Sequence, residues 1–304
     1  MATIIIQAVG LFLIILLGYL LKKMGLLKKE DGSRLSIIIV NVTLPAVVIV
    51  NLATVTIQKI FVLFILIGFA WSVLQIIFAW FTSKKANRTQ RQMYMYCGSG
   101  FNIGNFTLPF VQGFLPLGVP FLSMFDIGNS IMLSGGTRVL VEGLVSGTAK
   151  IDVRAILGRL FKSIPFTCYL VMLLLRVFAI DLPEAALTML QPIAHANVFL
   201  SMFMIGLYLE LKLPKHALSD VLKVLGLRYG LGLFIACIVF LLPIGIMPKT
   251  VLMLLTVTPV PLFGVINSVL VGVEEETVGF ASSISFLMSL PIMTVMLLIL
   301  GIQV

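Results

Sequence analysis

The stretch Ser99-Gly-Phe-Asn-Ile-Gly-Asn-Phe-Thr-Leu-Pro-Phe110 decides how this chain is read. Its twelve residues hold two asparagines, two glycines, a threonine and a proline, all inside an otherwise apolar run. In a water-soluble protein such a stretch would be a surface loop. The composition excludes that setting: of 304 residues, 60% are hydrophobic and 11% charged, whereas soluble domains carry about 25% charged residues. Runs of about 18 or more apolar residues recur along the whole length, the pattern of a multi-span helical membrane protein. A membrane β-barrel would alternate apolar and polar residues in segments of about ten, and no such alternation occurs.

Working outward from residue 99, ten apolar segments are expected, at about 3–21, 35–53, 60–81, 93–115, 119–141, 156–180, 185–209, 221–243, 250–272 and 278–302. Residues 1–21 lack a basic leader and a small-residue cleavage site, so they read as a first spanning helix. The connections after segments one, three, five and seven, with their flanks, hold seventeen Lys and Arg residues, from Lys22 through Lys150 to Arg228. The opposite side holds Lys59 and Lys249. The positive-inside rule therefore predicts a cell-membrane protein with both termini on the extracytoplasmic side. Glu274-Glu275-Glu276 is the odd connection, acidic on the basic side, but acidic residues weigh little in that rule. The formal charge of +9 is thereby a matter of topology, and no nucleic-acid partner is expected.

Ten spans split into two sets of five, and five is odd. Related halves must then be oppositely oriented, as in the inverted repeats of secondary transporters. The halves are expected at 1–150 and 151–304. Their corresponding members, segments four and nine, are both interrupted: Thr256-Val-Thr-Pro-Val-Pro-Leu-Phe-Gly264 repeats the mixture of hydroxyls, prolines and glycine. Breaks are expected near Pro109 and near Pro259 and Pro261, because proline removes a backbone donor and clashes with the preceding turn. The freed groups must be met by protein or by a water-lined cavity. Half-helix N-termini at that depth suit a carboxylate, with Asn102, Asn105, Thr107, Thr256 and Thr258 as further donors. A competing reading takes Gly100-x-x-x-Gly104 as a small-residue helix-packing motif.

Titratable residues inside spans are functional candidates by default. Asp126 shares a helix face with Asn129 and Ser130. It reads as a site for H⁺ or Na⁺ linkage, as support for the broken backbone, or as a plain amide cap. Arg138 and Glu142 pair at i,i+4, Arg176 snorkels, and His195 is a packing residue or a proton carrier. Asn41, before Pro45, either faces a cavity or bonds a neighbouring helix. Cys97, Cys168 and Cys237 are small buried hydrophobes. No HExxH, GxSxG, P-loop or CxxC signature is present, and no metal, cofactor or enzymatic role is indicated.

These residues together resemble the auxin efflux carrier family, which includes plant PIN-type carriers and bacterial malonate- or malate-permease-like members. The likeness runs over nearly the whole chain. It consists of GYLLKKMGLL at 18–27, Asn41-Val-Thr-Leu-Pro45, Asn102 seven residues before Pro109, Phe125-Asp126-x-x-Asn129, the Pro259 crossover, and Ala281-Ser-Ser-Ile-Ser-Phe-Leu-Met-Ser-Leu-Pro291. The resemblance implies an all-α membrane protein of ten helices in two inverted five-helix repeats, with helices 4 and 9 broken and crossing. It implies a scaffold of helices 1, 2, 6 and 7 and a transport domain of helices 3–5 and 8–10 that moves as an elevator. It also implies a homodimer in the lipid bilayer and a small organic anion bound at Asn102, Pro109 and Pro259. Ile103 and Thr107 depart from the family pattern and Asn105 adds an amide, so the expected pocket is more polar than an aromatic auxin requires. The short connection between spans five and six fits a prokaryotic member. A sensor that binds an organic acid without moving it is the alternative, disfavoured by the absence of a signalling domain.

Overall fold

A chain this apolar has greasy side chains to spare for its surface, and the computed structural model turns many of them outward while burying polar groups inside. It describes residues 2–147, 151–212 and 215–302; Lys150, at the expected boundary between halves, lies outside them. Ile6 is 70% exposed and Leu241 80%, while Ser72, Asn129, Asn197 and Ser285 are fully buried. Only a hydrocarbon solvent makes that arrangement favourable. All regular elements among the described residues are helical: the protein is an all-α membrane protein.

The first span is α1 (Ala2–Lys23), and the second is formed by α2 (Lys29–Ile38) and α3 (Leu44–Leu52) joined through Ile39–Thr43. Next come α4 (Lys59–Thr82), the short pair α5 (Arg88–Gly98) and α6 (Leu108–Phe114), and α7 (Val119–Ile131), which runs into α8 (Thr137–Ser146). The second half contains α9 (Val153–Lys162), α10 (Ile164–Val177), α11 (Glu184–Tyr208) and α12 (Leu218–Leu241). It ends with a second short pair, α13 (Ile246–Thr256) and α14 (Leu262–Leu270), and with α15 (Glu275–Ile299). Among the described residues, seven helices are long and apolar enough to cross a membrane, counting α2–α3 and α7–α8 as one each, or eight if α9 and α10, bent by 80°, form one span. The two remaining expected segments, 93–115 and 250–272, are the short pairs, each interrupted in the middle.

The sequence Asn-x-Thr-Leu-Pro occurs twice, at 41–45 and 105–109, and it folds the same way both times. Ile39–Thr43 and Ile103–Thr107 form wide turns, with Leu44 N–H bonded to the Ile39 carbonyl and Leu108 N–H to that of Ile103. Each proline then sits within the first two residues of the next helix. A proline there has no N–H to offer, and its ring would strike the carbonyl four residues back. Widening the preceding turn from i−4 to i−5 relieves the clash. The helical interruption in segment four therefore falls at Ser99–Asn102, well before Pro109 and earlier than the sequence suggested. In segment nine it spans Val257–Pro261, at the expected prolines.

Helices α1, α2, α3, α10 and α11 pack on one another, and α4, α5, α7, α12, α13, α14 and α15 form a second group. Pairings recur between the two halves: α1 lies on α11 as α10 lies on α3, and α4 lies on α7 as α12 lies on α15. The Glu274–Glu276 connection is neutralised locally. Glu274 bonds His216 at 2.6 Å, Glu275 bonds Lys29 at 2.7 Å and Glu276 bonds Lys212 at 3.1 Å. Basic residues of the connections after segments one and seven thus meet this acidic run on one face of the protein. Such exposed pairs contribute about 0–1 kcal/mol each, enough to explain how an acidic connection sits among basic ones.

The contact between α4 and α7 depends on glycine. A Cβ on Gly68 would collide with the Phe125 carbonyl, and one on Gly128 would meet the Ile65 carbonyl and lie 2.7 Å from the Phe69 nitrogen. Backbones this close gain dispersion along their whole contact, the packing mode that works in lipid. Gly128→Leu is expected to separate the helices and destabilise the protein by about 2 kcal/mol. Thermal unfolding in detergent would read this as a lowered midpoint, with Gly113→Ala, which has open space around its Cβ, as the control.

Candidate functional site

The interruptions of segments four and nine lie against each other, and one side chain joins them. Arg228, the eleventh of the twenty-four residues of α12, is 2% exposed. Its Nε donates to the Thr258 carbonyl at 2.7 Å, and Nη1 donates to the Cys97 carbonyl at 3.3 Å. Nη2 donates to the carbonyls of Gly100 and Pro259, both at 2.8 Å, and to Thr258 Oγ1 at 3.0 Å. Cys97 is in the last turn of α5 and Gly100 follows it; Thr258 and Pro259 follow α13. The guanidinium therefore caps two helix C-termini at once, where unpaired carbonyls concentrate partial negative charge. No carboxylate lies within 4.0 Å of it among the described residues. Sequence reasoning counted Arg228 with the cytoplasmic flank. The structure corrects that: an arginine in the middle of an apolar helix is itself a signal for a functional position.

The other groups of the broken backbone are met one by one. Gly100, at φ +73°, adopts a left-handed turn that glycine alone enters at no steric cost. Its N–H bonds Gln75 Oε1 at 3.0 Å. Asn129 takes both sides of Phe101, accepting from its N–H and donating to its carbonyl, each at 3.3 Å. Asp126 Oδ1 accepts from Asn129 Nδ2 at 2.9 Å, and Tyr169 donates to Asp126 Oδ2 at 3.0 Å. Asp126 thus orients the amide that replaces a strand partner for Phe101. The Phe101 ring stands edge-on to Phe125 and Trp71, with centroids 4.8 and 5.8 Å away. In segment nine, Val260 N–H donates to Ser285 Oγ at 3.0 Å and Ser289 donates to the Val257 carbonyl at 2.7 Å. Tyr229 OH bonds the Ser285 carbonyl and Ser289 Oγ, both at 2.7 Å.

Of the expected substrate residues, the structure brings Asn102, Thr107, Thr258 and Pro259 to the crossing. Asn102 Nδ2 donates to the Val260 carbonyl at 3.2 Å, a direct link between the two interruptions. Thr107 donates to the Asn102 carbonyl at 3.0 Å. Asn105 is half-buried, and its Oδ1 is enclosed with no hydrogen-bond partner. Pro109 is buried at the start of α6. Asn41 is placed elsewhere: it is exposed and donates to the Ile37 carbonyl at 2.9 Å, within its own helix. His195 is exposed. Arg138 and Glu142 pair at 2.7 Å as their spacing predicted. Arg176 bonds the Val55 carbonyl at 3.1 Å and Asp181 at 2.7 Å, tying connections together where snorkelling was expected. Besides Arg228, sequence reasoning passed over Gln75, Tyr169 and Tyr229, polar tips in apolar spans whose partners lie far along the chain.

A polar seam leads away from the crossing. Gln112 of α6 donates to the Ala194 carbonyl at 2.8 Å and accepts from Asn197 at 3.2 Å, while Thr43 donates to Asn197 at 2.8 Å. It connects α6 to α11 and to the turn between α2 and α3. Asn129→Leu would leave both the N–H and the carbonyl of Phe101 unpaired in a dry setting, and is expected to destabilise by about 2–4 kcal/mol. Hydrogen exchange over residues 99–104 would report it as faster labelling than in the wild type.

Residues 3–144 match the family model described as "Membrane transport protein". The chain is also 24% identical over 297 residues to an uncharacterized transporter of Methanothermobacter thermautotrophicus, covering 95% of this chain and 96% of the relative. Those matches agree with the motifs carried along both halves. Both matches are to membrane transport proteins, in agreement with the resemblance of these motifs to the auxin efflux carrier family.

Proposed function

We propose that this transporter moves a small organic anion, a carboxylate, across the cell membrane by secondary transport. The observation that carries the reading is the guanidinium of Arg228 held at both interruptions without a carboxylate partner. It sets a fixed positive charge near Asn102, which opens the helical turn Ile103–Thr107 that leads into α6, and such helical N-termini add partial positive charge. Asp126, on the other side of the Phe101 backbone, has its oxygens occupied by Asn129 and Tyr169. A proton on Asp126 is the route by which the carrier would be linked to pH.

The two packing groups supply the parts of an elevator. α4–α8 and α12–α15, which contain both interruptions, form the moving body. α1–α3 and α9–α11 form the scaffold, and the recurring helix pairings support two inverted repeats divided near residue 150. Asn102, Thr107 and Thr258 are 4%, 0% and 1% exposed, so the crossing is closed in this conformation and must open for the substrate to enter. The anion would contact Asn102, Asn105, Thr107 and the backbone near Pro109 and Pro259, and the unpartnered Asn105 Oδ1 would turn to meet a donor on it. A homodimer with both termini outside the cytoplasm completes the reading.

Counterflow of a radiolabelled carboxylate in proteoliposomes tests the proposal, after a thermal-shift screen of small mono- and dicarboxylates has chosen the substrate. Asn102→Ala loses one hydrogen bond to Val260, about 1 kcal/mol of stability, and is expected to weaken carboxylate binding at least tenfold by calorimetry. Unchanged affinity would remove Asn102 from the site. Stabilisation by a carboxylate with no counterflow would make the protein a receptor.

A further inference from the structure

The geometry points to Arg228 as a built-in replacement for a coupling cation, which makes the carrier independent of sodium at its crossover. In transporters with broken helices, unwound carbonyls and half-helix C-termini near the midplane coordinate the Na⁺ that drives the cycle. The same chemistry is assembled here. Carbonyls of Cys97, Gly100, Thr258 and Pro259 and the hydroxyl of Thr258 converge from both interruptions within 2.7–3.3 Å of the guanidinium nitrogens. All are neutral oxygens, a donor set suited to a hard monovalent cation. One positive charge already fills it, on a side chain anchored in the middle of α12.

A tethered charge differs from a dissolved one in a decisive respect. Na⁺ leaves on the far side and so couples transport to its gradient, whereas Arg228 returns with the protein and carries no cation across, leaving only the Asp126 proton route open. Asp126 offers no second place for the ion, since Asn129 and Tyr169 occupy its oxygens and the Asn129 carbonyl oxygen accepts from Phe101. A merely structural cap would make a different prediction: its loss would weaken the fold, and no small cation would relieve the weakness.

The experiment uses the full chain purified in detergent, with thermal unfolding followed in sodium chloride, in choline chloride and in choline chloride with added methylguanidinium. The wild type is expected to unfold at one temperature in all three. Arg228→Ala should unfold lower in choline and rise by about 3 °C when Na⁺ or methylguanidinium is supplied at a few times its dissociation constant. Arg228→Gln, which retains donors and bulk, serves where the alanine variant does not accumulate, and the same cation response is expected of it. Arg228→Lys, keeping the charge, should show no such response. Stabilisation of the wild type by Na⁺ over choline would overturn the inference, and so would an Arg228→Ala or Arg228→Gln protein indifferent to both cations. The flux arm rests on the transport reading: wild-type counterflow should run equally in sodium and choline, and a sodium-driven flux would also overturn the inference. The unfolding arm needs no transport, so an absence of flux would count against the carrier reading alone.

Discussion

Two helices that stop at bilayer depth leave carbonyls with no water to turn to, and in this protein the carbonyls of Cys97, Gly100, Thr258 and Pro259 turn to Arg228. Each unmet group would cost several kcal/mol in hydrocarbon, and an unpaired buried cation would cost as much or more. Placed together, the two liabilities offset each other. This explains why the arginine stands in the middle of an unbroken helix and why its partners come from two distant segments. The surrounding polar residues, Gln75, Asn129, Ser285 and Ser289, complete the same accounting for the remaining N–H and C=O groups.

Around that centre the packing follows the rules of a lipid solvent. Gly68 and Gly128 let α4 and α7 approach backbone to backbone, and the aromatic pairs Phe61–Phe121, Phe64–Phe121 and Trp71–Phe125 flank that contact, so the helix carrying Asp126 and Asn129 is held firmly. The Asn129 amide then reaches Phe101 from a fixed base. On the other side, Gln112, Asn197 and Thr43 connect α6 to the neighbouring helix group through a few hydrogen bonds.

Much of this was legible from local chemistry. The membrane setting followed from composition, the presence of an interruption in segment four from its glycines, asparagines and proline, and the second interruption from Pro259 and Pro261. Asp126 and Asn129 share a helix face by spacing alone, and the structure has them hydrogen-bonded. What local reading misplaced has a common cause. Pro109 was taken as the break, yet a proline early in a helix acts on the turn before it, so the break falls at Ser99–Asn102. Arg228 was read by its nearness to Lys223 along the chain, although its five acceptors lie 30 to 131 residues away. Asn41 was read from its place before Pro45, as facing a cavity or bonding a neighbouring helix, yet it bonds the Ile37 carbonyl behind it. The motif encodes a turn, and the turn does not say which way its asparagine faces.

That the charge at the crossing belongs to α12, and not to either interrupted segment, separates two demands that could have competed. The residues proposed to contact a ligand, Asn102, Asn105 and Thr107, lie on segment four, while the group that keeps the interrupted backbone electrically quiet is supplied from a neighbouring helix. Side chains along 102–107 can therefore be exchanged without dismantling the scaffold of charge beneath them. Such a division lets one architecture diversify: new ligands can be explored by changing a short lining, with the fold's most expensive feature left in place.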